Sequence, residues 1–159
     1  MDDRKSISGN AFFMGYYLVA WLGKKQSSIS LSTTEAEYIA ASDCCTQILW
    51  MKEALKDVNI ETKQPITIYC DNTSVIGLSK NPVMHSKTKH IPSKYHFLCE
   101  QVADQNIKLE YINTKEQIAN IFTKPLPREA FEHLHQKMGV IALASHNRFL
   151  RCYMTGGAV

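Results

Sequence analysis

What these 159 residues lack narrows the field first. No apolar run approaches the roughly 20 residues that a membrane-spanning helix needs, and no signal-peptide pattern opens the sequence. The expectation is a soluble intracellular protein, of cytoplasm or nucleus, with no membrane partner. CxxC and CxxxC spacings are absent, and the five cysteines (Cys44, Cys45, Cys70, Cys99 and Cys152) are odd in number. Both facts speak against a disulfide framework and against a zinc site. The histidines at 85, 90, 96, 133, 135 and 146 have no cysteine or carboxylate at metal-ligand spacing, which leaves them packing or surface roles. Internal repeats and low-complexity linkers are also missing. So is a strong charge: 18 basic against 15 acidic residues give +3, which permits a nucleic-acid partner without demanding one.

What is present is an ordinary globular composition, 45% hydrophobic and 21% charged, long enough for one domain with a real core. Residues 10–23 are aromatic and β-branched around Gly15, and read as a hairpin apolar on both faces, with SISLS (28–32) extending its second strand or forming a third. A helix over 33–56 carries Ala36, Ala40, Ala41, Cys44, Ile48, Met51 and Leu55 on one stripe. ITIYC (66–70) is a short strand, followed by a loop and short helix to residue 81. A helix over 90–105, a strand over 107–113, a short helix over 116–124 and a last helix over 128–138 complete a mixed α/β domain. The domain is assigned to residues 1–139 and a tail to 140–159; VIALA (140–144) has strand character and the rest reads as frayed.

Two glutamates near the start of the long helix have different prospects. With Ser32 as N-cap, Glu35 falls at the third helical position and completes a capping box, so its reading is structural. Glu37 heads the apolar stripe. A carboxylate there costs several kcal/mol, on the order of 3–5, unless paired, and a cation is a natural partner. From the pattern alone, a position where the stripe meets solvent stays equally open. Asp71 follows ITIYC at a strand's carboxyl end, where α/β folds place their crevices. A turn or cap role remains open for it as well. Together the two acids are what a divalent, oxygen-ligated site requires.

Five blocks carry a resemblance: DDRKSISGNAFFMG, WLGKKQSSISLSTTEAEYIAAS, ITIYCDNTSVIGLSKNPVMHSKTKHI, KYHFLCEQV and YINTKEQIANIFTKPLP. In order and spacing, from Asp2 to Gly139, they resemble the ribonuclease H domain of copia-type retrotransposon polyproteins. The resemblance implies a five-stranded mixed sheet flanked by helices. It also implies hydrolysis of RNA in RNA–DNA hybrids by two Mg²⁺ ions held on acidic residues. Carried over by motif, Glu37 and Asp71 are catalytic metal ligands and Asn120 stands where the family has a further catalytic Asp. The family's leading catalytic Asp lies in a D-x-D-W-A-G segment upstream of DDRKS, on the central strand between the hairpin and ITIYC. This sequence starts at Met1, so the expected ribonuclease H-like sheet lacks that strand. Asp2 and Asp3 belong to the loop after it.

With two of four family carboxylates remaining, the expectation is impaired two-metal catalysis. The alternative is a non-catalytic derivative that binds nucleic acid, or a protein partner that adds a strand to the gapped sheet. Lys80, Lys87, Lys89 and Lys94, with His85 and His90, form the candidate phosphate-contacting stretch. Tyr17 and Trp21 could stack on a hybrid, but are expected in the core.

Overall fold

The computed structural model describes residues 5–62, 65–81, 92–139 and 150–157. Five strands form one mixed sheet in the order β2-β1-β5-β3-β4. β1 (Ile7–Met14) and β2 (Tyr17–Lys25) are an antiparallel hairpin. Gly15 turns the chain with φ of 64°, a conformation that a side chain would strain. β3 (Ile66–Cys70) and β4 (Ile107–Tyr111) pair in parallel, linked by α2 (Thr73–Lys80) and α3 (Pro92–Ala103). β5 (Leu150–Gly157) joins the two halves, antiparallel to β1 and parallel to β3.

β5 overturns the gapped sheet expected from the sequence. The middle place is taken, and the backbone of β1 and β3 that a gap would have orphaned is paired. The strand comes from residues read as frayed, while VIALA lies outside the described residues. Leu150, Cys152 and Met154 alternate with Arg151, Tyr153 and Thr155, but the run is short and ends in two glycines, so it is easily passed over as a strand.

One face of the sheet carries α1 (Thr33–Asp57), α2 and α3. Phe12, Ile66, Ile68, Cys70, Cys152 and Met154 pack there against Tyr38, Ala40, Ala41, Cys44 and Ile48 of α1. The other face is smaller: Ala11 and Phe13 meet Ile118, Leu134 and Met138, the last two in or beside α4 (Arg128–Lys137). Glycines let layers approach. A Cβ on Gly9 would lie 2.6 Å from the Ala119 carbonyl oxygen, and one on Gly156 would lie 2.5 Å from that of Ala36.

Other expectations are corrected. β2 is an edge strand and largely exposed, so the hairpin is not covered on both sides. Tyr17 and Trp21 are 52% and 64% exposed and border an apolar cavity of about 410 Å³ with Leu18, Phe122, Met138 and Gly139. SISLS forms no strand; it leads into the cap of α1. The expected helix over 116–124 is two short 3-10 helices, Thr114–Glu116 and Ile118–Phe122, whose tighter turns suit a connector between layers.

Candidate metal centre

The start of α1 is fixed twice. The Ser32 hydroxyl accepts from the Glu35 amide at 3.1 Å, and the Glu35 carboxylate accepts from the Leu31 amide at 2.6 Å. This is the expected capping box, except that Glu35 reaches one residue further back than Ser32. Gln26 then ties the first turn to the sheet: its side-chain amide donates to the Ser8 hydroxyl at 2.9 Å and to the Ala36 carbonyl at 2.8 Å. Gly156 of β5 slides beneath the same turn, where any Cβ would meet Ala36 O, Ala36 C and Glu37 N within 2.7 Å.

Glu37 thus leaves the helix over the carboxyl end of β3, where Asp71 sits. The two carboxylates interact. Burial first, and the Asp71 charge second, push the Glu37 carboxyl up to about 7. A hydrogen bond from the Asn72 side chain and the charge of Lys124 oppose the rise. Asn72 serves two elements, because its carbonyl oxygen also caps α2 by accepting from Ser74 N at 2.9 Å and Val75 N at 3.3 Å. One oxygen on each acid, Glu37 Oε2 and Asp71 Oδ1, is buried with no hydrogen-bond partner. Two neighbouring carboxylates with orphaned oxygens have the donor chemistry for one hard cation, which would satisfy both and relieve their repulsion. A second ion finds less support: among the described residues no three His, Cys, Asp or Glu side chains cluster as a metal site.

Asn120 is buried in the second 3-10 helix, and its side-chain amide donates to the Thr114 carbonyl at 3.0 Å. That helix leads to Lys124, whose charge reaches Glu37. Lys80 ends α2 and is exposed. Lys94 is drawn to α1 by an ion pair with Asp43 at 2.6 Å. Lys87, Lys89, His85 and His90 lie outside the described residues.

Sequence reasoning missed three polar residues around the site. Gln26 anchors α1. Gln117, fully buried, donates its amide to the carbonyls of Tyr69 at 3.2 Å and Met154 at 3.0 Å, bridging β3 and β5. Asn10, 1% exposed, carries a buried oxygen without a partner. A polar residue inside an apolar strand was the available signal for Asn10; the two glutamines gave none.

The fold and the paired acids define an α/β domain with a carboxylate site at the carboxyl end of its parallel strands. Comparison with known proteins is more particular. The chain is 39% identical over 140 residues to the retrovirus-related Pol polyprotein from transposon TNT 1-94 of Nicotiana tabacum, covering 88% of this chain and 10% of that protein. It is 37% identical over 140 residues to the corresponding polyprotein from transposon RE2 of Arabidopsis thaliana, with the same coverage. Similarity to the transposon Ty1-NL2 Gag-Pol polyprotein of Saccharomyces cerevisiae is 30% over 136 residues, 84% of this chain and 8% of that one. The chain's homologues are therefore retrotransposon Pol polyproteins, and it spans about a tenth of the length of these relatives. No protein-family profile matches the chain, and no solved structure does. None of the described helices is long and apolar enough to cross a membrane.

Proposed function

We propose that this chain is a retrotransposon-derived ribonuclease H-like domain that binds RNA–DNA hybrids and holds Mg²⁺ between Glu37 and Asp71, with weak hydrolytic power. The observation that carries the reading is the meeting of these two acids, from a helix start and a strand end, each with a buried orphan oxygen. The homology to Pol polyproteins and the five-stranded mixed sheet support it.

A bound divalent ion supplies charge neutralisation at a phosphate and acidifies a water molecule. The chain's own groups set the terms. Glu37, with its carboxyl near 7, holds a proton at mildly acidic pH and releases it to solvent above that, leaving a carboxylate that would hold a cation. Asp71 supplies the facing oxygen. Asn72 orients Glu37 by hydrogen bond, and Lys124 lends positive charge beside it. Asn120 offers a neutral carbonyl oxygen where a carboxylate would add charge, and its amide is already committed to Thr114. The neutral side chain there, with no third acid clustered beside Glu37 and Asp71 among the described residues, favours a second reading as a non-catalytic binding module.

A labelled RNA–DNA hybrid in Mg²⁺ decides between them. The expected result is salt-sensitive binding with slow cleavage, and loss of cleavage in Glu37→Gln and Asp71→Asn with binding retained. Binding without cleavage selects the second reading. A chain that neither binds hybrid nor shows a Mg²⁺-dependent rise in Tm refutes the proposal.

A further inference from the structure

Lys56, Lys94, Lys108 and Lys137 each stand against a carboxylate. Lys124 does not. It is exposed, and among the described residues its ammonium makes no hydrogen bond or ion pair. Its backbone is fixed nevertheless. The Lys124 amide closes the second 3-10 helix on the Asn120 carbonyl at 3.4 Å, which also accepts from the Thr123 amide at 3.2 Å and the Thr123 hydroxyl at 3.3 Å. Pro125 follows and narrows the backbone choices of Lys124 itself.

This fixed point lies at the end of the sheet that holds the acids. A Cβ on Gly9 would meet Thr123 Cγ2 at 2.6 Å, so Thr123 packs on β1 at Gly9. Gly9 is opposite Thr155 of β5, and the next residue, Gly156, lies beneath the Ala36–Glu37 backbone. Glu37 thus approaches the end of the middle strand from the α1 face and Lys124 from the face of the 3-10 helix. The Lys124 charge acts on the Glu37 carboxyl across that strand end. A counter-ion role does not account for the lysine. Glu37 Oε2 and Asp71 Oδ1 stay buried without a partner, so the ammonium does not cross to them. A free ammonium held beside two acids, rather than against them, is the charge pattern of a place for a cation and an anion together.

We infer that Lys124 is a phosphate-contacting residue of the carboxylate site, taking a non-bridging oxygen of one backbone phosphate of a nucleic-acid strand laid across the end of β5. The inference rests on the reading of that site as one that binds RNA–DNA hybrids, and it adds a residue outside the lysine stretch singled out in the sequence. Lys94 of that stretch is held by Asp43. An ammonium meets phosphate as a point charge, so the contact positions the strand without selecting its bases.

The test measures binding of a fluorescein-labelled RNA–DNA hybrid to the full chain by polarisation, in Mg²⁺, over a range of KCl concentrations. Lys124→Gln should weaken binding on the order of tenfold, the worth of one charge-assisted contact. It should also make the slope of log affinity against log salt shallower by about 0.9, the release of one phosphate's counterions. Lys124→Arg should keep most of the affinity and the slope. Lys108→Gln, which removes the same charge from the edge strand β4, should change neither. Without hybrid, Lys124→Gln should leave Tm unchanged in the absence of Mg²⁺ and raise it at a lower Mg²⁺ concentration than the parent needs, because a repelling charge is gone. A parent chain that binds hybrid with the same affinity and slope as Lys124→Gln overturns the inference and leaves the hybrid-binding reading standing. A lowered Tm in Lys124→Gln, with no recovery of binding in Lys124→Arg, also overturns it and makes the lysine a counter-ion of the acids. A parent chain that binds no hybrid defeats the hybrid-binding reading, and the inference with it.

Discussion

The two sides of β5 are held unequally. Toward β1 it is matched over eight residue pairs, Ile7–Gly157 through Met14–Leu150, and pinned at its start by the Arg151 guanidinium on the Gly15 carbonyl at 2.6 Å. Toward β3 it is matched over three, the last being Tyr69–Tyr153. The Gln117 amide stands in for the missing backbone bonds beyond that point. The closed side is a structural seam. On the less closely matched side β3 ends at Cys70, and Glu37 and Asp71 meet just beyond it, at the carboxyl end of the strand.

Substitutions along the seam and the crevice sharpen that contrast. The largest effect belongs to Gly156→Val. Its Cβ collides with helix backbone that cannot move aside, so the middle strand is expelled at a cost of about 3 kcal/mol or more. Urea unfolding should show the loss, and hydrogen exchange should show β1 and β3 amides exposed together. Gln117→Leu comes next. It strands the Tyr69 and Met154 carbonyls in a buried place and costs about 2–3 kcal/mol. Exchange should quicken at the β3 end while the β1–β5 seam stays protected; equal loosening of both sides would break the comparison.

Glu37→Gln tests the crevice through pH. The folded Glu37 carboxyl, near 7, keeps its proton where the unfolded chain, with the ordinary value of 4.5, has lost it. Stability of the ion-free protein therefore falls as pH rises across that window. Solvent screening of this half-exposed group holds the change to about 1–2 kcal/mol. Urea titrations at about pH 5 and pH 8 should show the slope in the parent chain and a flatter profile in Glu37→Gln. The smallest effect is Gly77→Ala in α2, where a Cβ meets nothing within 4 Å. It should stabilise by roughly 0.5–1 kcal/mol through helix propensity, raising Tm without touching the crevice.

Much of this was legible in the residues. ITIYC and the α2 segment after it fall where their composition puts them, and α1 is one residue longer than its stripe foretold. Helical phase separates Glu35, which caps α1, from Glu37, which heads the inward stripe, and leaves open whether that stripe meets a cation or solvent. The middle of the sheet was not read as a strand, because the alternation of β5 runs only from Leu150 to Thr155 before two glycines end it. Its two glycines resemble a frayed end until the Ala36 backbone is seen lying against one of them. β2 misled in the opposite direction. Aromatic and β-branched residues favour strands without saying whether a strand is central, so Trp21 reads as core and stands 64% exposed. The links made by Gln26, Gln117 and Asn72 join residues far apart in sequence or serve two elements at once, and no local pattern encodes them.

The placement of β5 also sets an order of events. On a ribosome it is made after every other described element, yet the sheet closes around it; Arg151 and the Gly15 carbonyl it holds are 136 residues apart. Until then the hairpin and the β3–β4 unit wait with two bare edges turned toward each other. Such non-local closure is slow, and waiting edges invite pairing with other chains. Nascent or heated protein should therefore be vulnerable to aggregation along a line that the finished fold hides completely.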